Sequence, residues 1–460
     1  VLVVIDGLTP SALERGLAEG RLPALAALVE AGVTGQGTSV FPSLTPVCLS
    51  SIATGAYPDV HHIPHLVWYH RGEERVIEYG SSFSAMRAVG ARRAIRDTMF
   101  GLSGEHLSAD ATTVFEALED AALEPAAINF TCYRGRTRHP IRLPGLARRN
   151  RWYEAVYGPT HFFFFNVFES SRTGAPLAIR SRLEGSIDEY AAAVGRWLVT
   201  RDAFDFLVFY LPDYDYASHI SGPDGSLEAL ERSDAALGQL LAAGGGAERF
   251  LERYAVVVCS DHGQTPVDKL ATLQDAYPDS LTGVLPLASN RAGMVYRLEG
   301  CRRSARELAE RLDDVAAVEV ALFVEGETAV ARRGGEEMRF APEGEGWRVE
   351  GTADVLDPDR HPRGLERAWH ALASPTAGDV LVSAQVGWEL ADLGGRHHLG
   401  GGSHGSLLAG DSVVPLVAAG FEEPPSLSGM RIVDLAPLAL AYLGVAAPES
   451  MRGPLEAARA

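Results

Sequence analysis

Val413–Ala419 is a strand candidate, and three other short stretches are almost wholly apolar: Val1–Ile5, Phe204–Leu211 and Ala255–Cys259. They lack the polar alternation of a half-exposed strand. Short runs of this kind, rich in β-branched residues, are expected of strands buried on both faces of a parallel sheet. Between them the apolar positions recur at helical spacing. Pro10 to Ala31 places Leu13, Leu17, Leu22, Leu25, Leu28 and Val29 on a helix, with Pro10 near its start. Pro23 divides that helix in two, because a proline removes one helical hydrogen bond and clashes with the preceding turn. Ile187–Thr200 and Ser226–Ala243 predict two more amphipathic helices. Val40–Gly55 predicts a strand end, a stiff turn between Pro42 and Pro46, and then a helix carrying Leu49, Ile52 and Ala53. Strands alternating with helices predict an α/β fold: a mostly parallel central sheet flanked by helices on both faces.

From Asn290 the pattern changes. Strand-like runs at Met294–Leu298 and Val318–Val324 flank a helix predicted over Ser304–Ala316, and a Gly/Glu-rich hairpin region follows over Glu325–Gly351. No metal-ligand residue types cluster there. Residues 290–373 are therefore expected to form an inserted α+β cap, with residues 1–289 and 374–460 forming the core. Asp379–Ser383 is a further strand candidate.

Composition narrows the function. Hydrophobic residues make up 46% of the 460, enough for a sizeable core. Lys and Arg number 41 against 60 Asp and Glu, a net charge of −19. So acidic a chain has no broad field for a nucleic-acid polymer, and an anionic small substrate needs a local cation. Four scattered cysteines, with no paired spacing, favour a reduced compartment such as the cytoplasm. No apolar run approaches the ~18 residues of a membrane span; Met430–Val445 is broken by Arg431 and Asp434.

The chemistry gathers where the strands end. Val1–Ile5 runs into Asp6-Gly7, and Ala255–Cys259 into Ser260-Asp261-His262-Gly263. Phe204–Leu211 is followed by Asp215 and His219, whose spacing brings both to one face of a helical turn. A Gly-rich stretch, GGSHGS, presents His404. Ligands in open α/β sheets bind just past the carboxyl ends of strands. Mixed Asp/His sets suit Zn2+ or another borderline divalent ion, and two such ions clamp an in-line displacement at phosphorus. Thr45, ahead of the helix after Pro42, reads either as an ordinary N-cap or as a hydroxyl nucleophile activated by a cation. His61, His62, His65 and His70 are expected at a rim or pocket. The basic stretch Arg134–Arg151 reads as a solvated loop or interface, and Phe162–Phe165 as core or contact residues rather than an apolar subsite.

These pieces form an ordered set: VLVVIDG, FPSLTPVCLSSIATGAYPDVHHI, DYASH, CSDHGQ and GGSHGS, closed by DLAPLALAYLGVAAPESMRG. In that order they resemble the alkaline phosphatase superfamily and, within it, the type I phosphodiesterase/nucleotide pyrophosphatase-like branch. The resemblance implies that Asp6, Asp261 and His262 hold one divalent ion, which also contacts Thr45. Asp215, His219 and His404 would hold the other. The ions are expected to be Zn2+, with Mn2+ or Fe as alternatives. Thr45 would attack phosphorus and form a phosphothreonine that is then hydrolysed. The expected substrate is a small phosphorylated compound such as a nucleotide, cleaved at a phosphodiester or pyrophosphate bond. A phosphonoacetate-type hydrolase or a phosphomonoesterase would use the same residues. A non-catalytic descendant, keeping the sheet as a binding module, is the reading of a different class. Members of the branch place an Asn on the phosphate oxygen about a turn past the nucleophile helix. Here that stretch reads HHIPHL, with Leu66 near the place and His65 as the candidate substrate-binding substitute. A sulfatase-type C/S-x-P-x-R motif is absent, and Thr rather than Ser argues against the phosphomutase branch.

Overall fold

The computed structural model describes residues 1–140, 155–164, 168–170, 186–201, 203–278 and 281–451. In chain order the principal elements begin with β1 (Leu2–Ile5), α1 (Pro10–Ala18), α2 (Pro23–Glu30), β2 (Gly32–Thr38) and α3 (Thr45–Thr54). They continue with β3 (Pro125–Ile128), β4 (His161–Phe164), β5 (Phe168–Ser170), α4 (Ile187–Val199) and β6 (Phe206–Leu211). Then come α5 (Asp213–Ser221), α6 (Leu227–Ala243) and β7 (Val256–Cys259). Later elements include the strands β8 (Val284–Ser289), β9 (Ala292–Arg297), β10 (Val318–Glu325), β11 (Thr328–Arg333), β12 (Glu336–Glu343) and β13 (Gly346–Gly351). The helix α7 (Gly364–Ala373), the strands β14 (Val380–Ala384) and β15 (Val413–Ala419), and the helix α8 (Leu435–Tyr442) follow.

The central sheet has the order β2-β15-β7-β1-β6-β3-β4-β5. Its middle five strands, β7 to β4, are parallel; β15 runs antiparallel to both β7 and β2, and β5 antiparallel to β4. Alternate residues of each central strand enter separate cores. Leu2 and Val4, with Phe206, Val208 and Tyr210, pack on the side of α3 and α8. Val3 and Ile5, with Leu207, Phe209 and Leu211, pack against α1, α2, α4 and α6. Each such side chain contributes about 1.5–3 kcal/mol by burial, which explains why these strands tolerate no polar alternation. The split at Pro23 occurs as expected: α1 ends at Ala18, and Pro23 opens α2.

A second sheet is antiparallel throughout, in the order β8-β9-β14-β10-β11-β12-β13. It draws β8 and β14 from outside residues 290–373. The strand candidate at Asp379–Ser383 thus pairs with this sheet and not with the central one. The helix expected over Ser304–Ala316 is regular only over Ala305–Glu310, where Ser304 and Glu307 form a capping box. It stops as Asp313, a poor helix former near a C-terminus, turns to pair with Arg332 of β11 at 2.5 Å.

One buried carboxyl in the scaffold gives a pH test. Asp188 of α4 is fully buried, accepts from Ser233 at 2.5 Å and faces Asp213. Burial, and then the charge of Asp213, push its pKa from 3.8 up to about 8. A carboxyl raised on folding weakens the fold as pH climbs from its unfolded to its folded value. The slope is about 1.4 kcal/mol per pH unit across roughly pH 4–8. Asp188→Asn is expected to flatten that slope and to be the more stable form at pH 8, read from urea unfolding at pH 5 and 8. Parallel pH profiles for the two proteins would refute this.

Candidate active site

Parallel strands end on the same edge, and that geometry builds the site. β1 pairs directly with β6 on one side and β7 on the other, so the residues after all three meet at one point. The Gly7 N–H reaches Asp261 Oδ1 at 3.3 Å, and the His262 N–H donates to the same oxygen at 3.0 Å. Gly7, at φ +68°, has no room for a side chain, because a Cβ there would lie 2.8 Å from Asp215 Oδ1. α5 begins two residues after β6 and carries Asp215 and His219 one turn apart, with His219 Nε2 3.2 Å from Asp215 Oδ2. His404 arrives from the Gly-rich loop, its ring stacked on His262 with centroids 3.6 Å apart.

Thr45 occupies the first position of α3, whose cap is Leu44, with no side-chain cap hydrogen bond. The N-cap reading of this residue is therefore excluded. Its Oγ1 lies 3.1 Å from His262 Nε2. All seven residues singled out in the sequence, Asp6, Thr45, Asp215, His219, Asp261, His262 and His404, meet in one cluster.

Asp6, Asp261 and His262 offer ligand atoms within 4.8 Å of one another, and so do Asp215, His262 and His404. His262 thus stands in both groups. His219 flanks the second through Asp215, with its ring centroid 5.2 Å from that of His404. The imidazoles are held by their far nitrogens: His219 Nδ1 donates to Gly402 O at 2.9 Å, His262 Nδ1 to Gly263 O at 3.0 Å and His404 Nδ1 to Ser43 O at 2.8 Å. Each backbone bond turns Nε2 toward the cluster, the arrangement a metal-binding histidine needs.

The electrostatics point the same way. Asp6 Oδ1 and Asp261 Oδ2 are buried and have no hydrogen-bond partner among the described residues, though they face His262 Nε2 at 3.2 and 3.4 Å; buried carboxylate oxygens left without donors are costly. Burial and the charge of Asp6 push the Asp261 carboxyl well above its usual range. Burial opposes charge on His262, but Asp261 and Asp6 outweigh it and push its pKa up to about 10. Burial and the charge on His262 hold His404 well below the usual imidazole range. A proton on His262 answers the crowding of carboxylates; a divalent cation answers it more completely. The donor set and the unpaired oxygens fit such ions.

Asp6, Thr45, Asp215, His219 and His404 line a cavity of about 600 Å³, and Asp261 and His262 are fully buried beside them. Leu66, Met99, Leu102 and Phe164 form an apolar wall, and the exposed Tyr216 and Ile220 of α5 stand at its rim. His65 is not brought to it: the residue is fully buried, and its Nδ1 accepts the Val67 N–H at 3.0 Å. Burial lowers its pKa to about 4. His61, His62 and His70 do not line the cavity either; His61 instead bonds Ser51 Oγ at 3.0 Å. Arg134 and Arg136 pair with Glu116 at 3.1 and 2.8 Å, and residues 141–151 of the basic stretch lie outside the described residues. Phe162–Phe164 are buried in β4, as core residues, though Phe164 also faces the cavity. Phe165 lies outside the described residues.

Three polar residues join the cluster that the sequence did not single out. Tyr210 donates its hydroxyl to Asp6 Oδ2, and Gln264 Nε2 donates to Asp215 Oδ1 at 2.6 Å. Asn290 sits at φ +57° in the tight turn between β8 and β9, and its Nδ2 lies 3.0 Å from His404 Nε2. An Asn-led pair between two apolar runs is a hairpin signal, but nothing in it tells where the turn points.

The type I phosphodiesterase/nucleotide pyrophosphatase family profile matches residues 1–407. The chain belongs to that family. It is accordingly a phosphoester hydrolase of the alkaline phosphatase superfamily. No curated protein matches the chain. Among solved structures the family fold recurs in phosphonoacetate hydrolase from Sinorhizobium meliloti 1021 in complex with phosphonoacetate. That match has 18% identity and a TM-score of 0.60, over 96% of this chain and 94% of that one. Human ectonucleotide pyrophosphatase/phosphodiesterase 5 matches at 16% identity and a TM-score of 0.59, over 97% and 95%. An inactive form of the murine protein, in complex with AMP, matches at 15% and 0.59, over the same shares. These likenesses show the phosphodiesterase-family fold. No helix among the described residues is long and apolar enough to cross a membrane.

Proposed function

We propose that the chain cleaves phosphodiester or pyrophosphate bonds at a site for two divalent cations, with Thr45 as the nucleophile. The observation that carries this is the convergence of Thr45 with three carboxylates and three imidazoles in one cluster, five of whose residues line a single cavity. Asp6 and Asp261 would hold one ion and Asp215, His219 and His404 the other, with His262 between them. Zn2+ best suits these donors, with Mn2+ or Fe as alternatives. Bound there, such ions neutralise phosphoryl charge and favour an ionised hydroxyl.

The chain's own groups do the rest. Thr45 Oγ1 forms a bond to phosphorus as the bond to the leaving oxygen breaks, giving a phosphothreonine. Water then hydrolyses that ester and restores Thr45. The start of the ten-residue α3 lies at the reacting oxygen, where free N–H groups and the helix dipole favour negative charge. Asn290 is the amide donor for a phosphoryl oxygen, supplied from the second sheet in place of the position near Leu66. Asn290→Ala is expected to lower kcat/KM by about 10- to 100-fold, the worth of one hydrogen bond to a charged group. A change below about threefold would remove the residue from this role.

The decisive assay compares bis-p-nitrophenyl phosphate with p-nitrophenyl phosphate after chelation and after adding Zn2+ or Mn2+. Turnover of the diester that vanishes on chelation and returns with metal is expected, with the monoester slower. Absence of turnover under every metal condition would overturn the reading. The phosphonoacetate-bound neighbour gives weight to a second one, a phosphonate hydrolase on the same residues, which phosphonoacetate as substrate separates.

A further inference from the structure

We propose that Arg396 binds a second negative charge on the substrate, carried by its leaving group. The carboxylate of a phosphonocarboxylate and the second phosphoryl of a diphosphate share that chemistry. The inference rests on the two-cation reading above and names the substrate class of that site.

Arg396 lines the same cavity as Thr45, Asp215 and His404, and among the described residues there it is the one Lys or Arg. Its guanidinium makes no hydrogen bond or ion pair with any described residue. Scarcity of acids does not explain this, since acids outnumber Lys and Arg 60 to 41. Several other arginines are paired, among them Arg75 with Asp97 at 2.5 Å, Arg332 with Asp313 at 2.5 Å and Arg431 with Asp434 at 2.6 Å, whereas Arg396 is exposed.

The backbone that carries Arg396 is tied down on both sides. Asp392 Oδ1 accepts the N–H of Gly394 at 2.8 Å and of Arg396 at 2.9 Å, and its Oδ2 accepts the Ser82 hydroxyl. The buried Glu389 accepts from His398 at both the backbone N–H and Nδ1, each at 2.6 Å. A Cβ on Gly394 would lie 2.3 Å from Ser84 Cβ, so the loop packs directly on the segment beneath it. The side chain of Arg396 is exposed and has no partner among the described residues, at the mouth of the site.

Charge balance says what it is free for. Two divalent ions against the carboxylates of Asp6, Asp215 and Asp261 leave a single positive charge, which one phosphodiester anion neutralises. Arg396 is a cation beyond that balance. Leu66, Met99, Leu102 and Phe164 offer nothing to another anion, and Ser81, Thr98, Thr131 and Tyr216 offer hydroxyls without a charge. A guanidinium fork matches carboxylate and phosphate oxygens in paired hydrogen bonds.

The test uses the full chain reconstituted with Zn2+, as wild type, Arg396→Ala and Arg396→Lys. Substrates are bis-p-nitrophenyl phosphate, with one charge, phosphonoacetate, and a pyrophosphate-linked dinucleotide. Arg396→Ala is expected to raise KM about 10- to 100-fold for a doubly anionic substrate. kcat should stay within about threefold and bis-p-nitrophenyl phosphate should be unaffected; the lysine variant should recover part of the loss. Dependence confined to phosphonoacetate identifies the carboxylate as the source, and dependence confined to the dinucleotide the second phosphoryl. Equal losses on all substrates, or none on either doubly anionic one, would overturn the proposal. A wild-type protein inactive toward all three would instead overturn the two-cation reading, and this inference with it.

Discussion

Thr45→Ala is expected to lower kcat for bis-p-nitrophenyl phosphate by at least about 10³-fold, because a phosphothreonine can no longer form. The loss should not come from unfolding. Leu44, not Thr45, is the cap of α3, and Thr45 Oγ1 makes no bond to the helix backbone. Among the described residues its hydrogen-bond partner is His262 Nε2, at 3.1 Å. Thr45→Ser should keep measurable turnover, since the hydroxyl stays at the same helix start. The check combines steady-state kinetics with acid quenching and peptide mass analysis, which should find a phosphoryl adduct on Thr45 in the wild type and none in the alanine variant. Turnover of Thr45→Ala within about threefold of wild type would remove the nucleophile.

Asp261→Asn is expected to act with opposite signs on the metal-free and metal-loaded protein. Asn keeps an oxygen to accept the Gly7 and His262 N–H groups, so the turn is preserved. What it removes is a carboxyl that burial and Asp6 push well above the usual range. At pH 7 the metal-free variant should therefore be more stable than wild type, by about 1–3 kcal/mol. With metal the order reverses. A ligand bound only by the native state at 1,000 times its Kd adds about 4 kcal/mol, and the variant should lose most of that gain along with at least about 100-fold in kcat. Thermal unfolding with and without Zn2+, with elemental analysis of bound metal, reads both signs. An equal Zn2+-induced shift in both proteins would exclude Asp261 as a ligand.

The site was legible in the sequence to an unusual degree for a simple reason. Five of its residues follow buried strands or a Pro-bracketed turn at once or within a few residues, and parallel pairing fixes where strand ends lie. Asp6, Asp261 and His262 needed only the register of β1 and β7. Asp215 and His219 needed only a helical turn after β6. His404 was marked by the glycines around it. The division of these side chains into two groups was less legible, because it depends on how the imidazoles tilt: His262 stacks on His404 and belongs to both groups.

His65 and Asn290 show where such reading fails. His65 looked suitable because it follows the helix of Thr45 closely, yet the chain there folds inward, the ring is fully buried and its Nδ1 is taken by the Val67 amide. Asn290 looked like the first residue of a separate unit. Arg291 explains its placement, since its buried guanidinium pairs with Asp411 at 2.6 Å and its N–H donates to His404 O at 2.8 Å. That ion pair and backbone bond dock the β8–β9 turn against the His404 loop, across more than a hundred residues of chain.

Local pattern along the chain specifies the parallel strands, the helices between them, and the acid and imidazole residues at their tips. Apolar periodicity and strand-end position are local properties that neighbouring residues already encode. Long-range packing alone places β14 in the second sheet, brings Asn290 to the cavity, and leaves Arg396 at its mouth without a partner among the described residues. Those outcomes depend on which side chains from distant segments satisfy one another, and no window along the chain contains both partners.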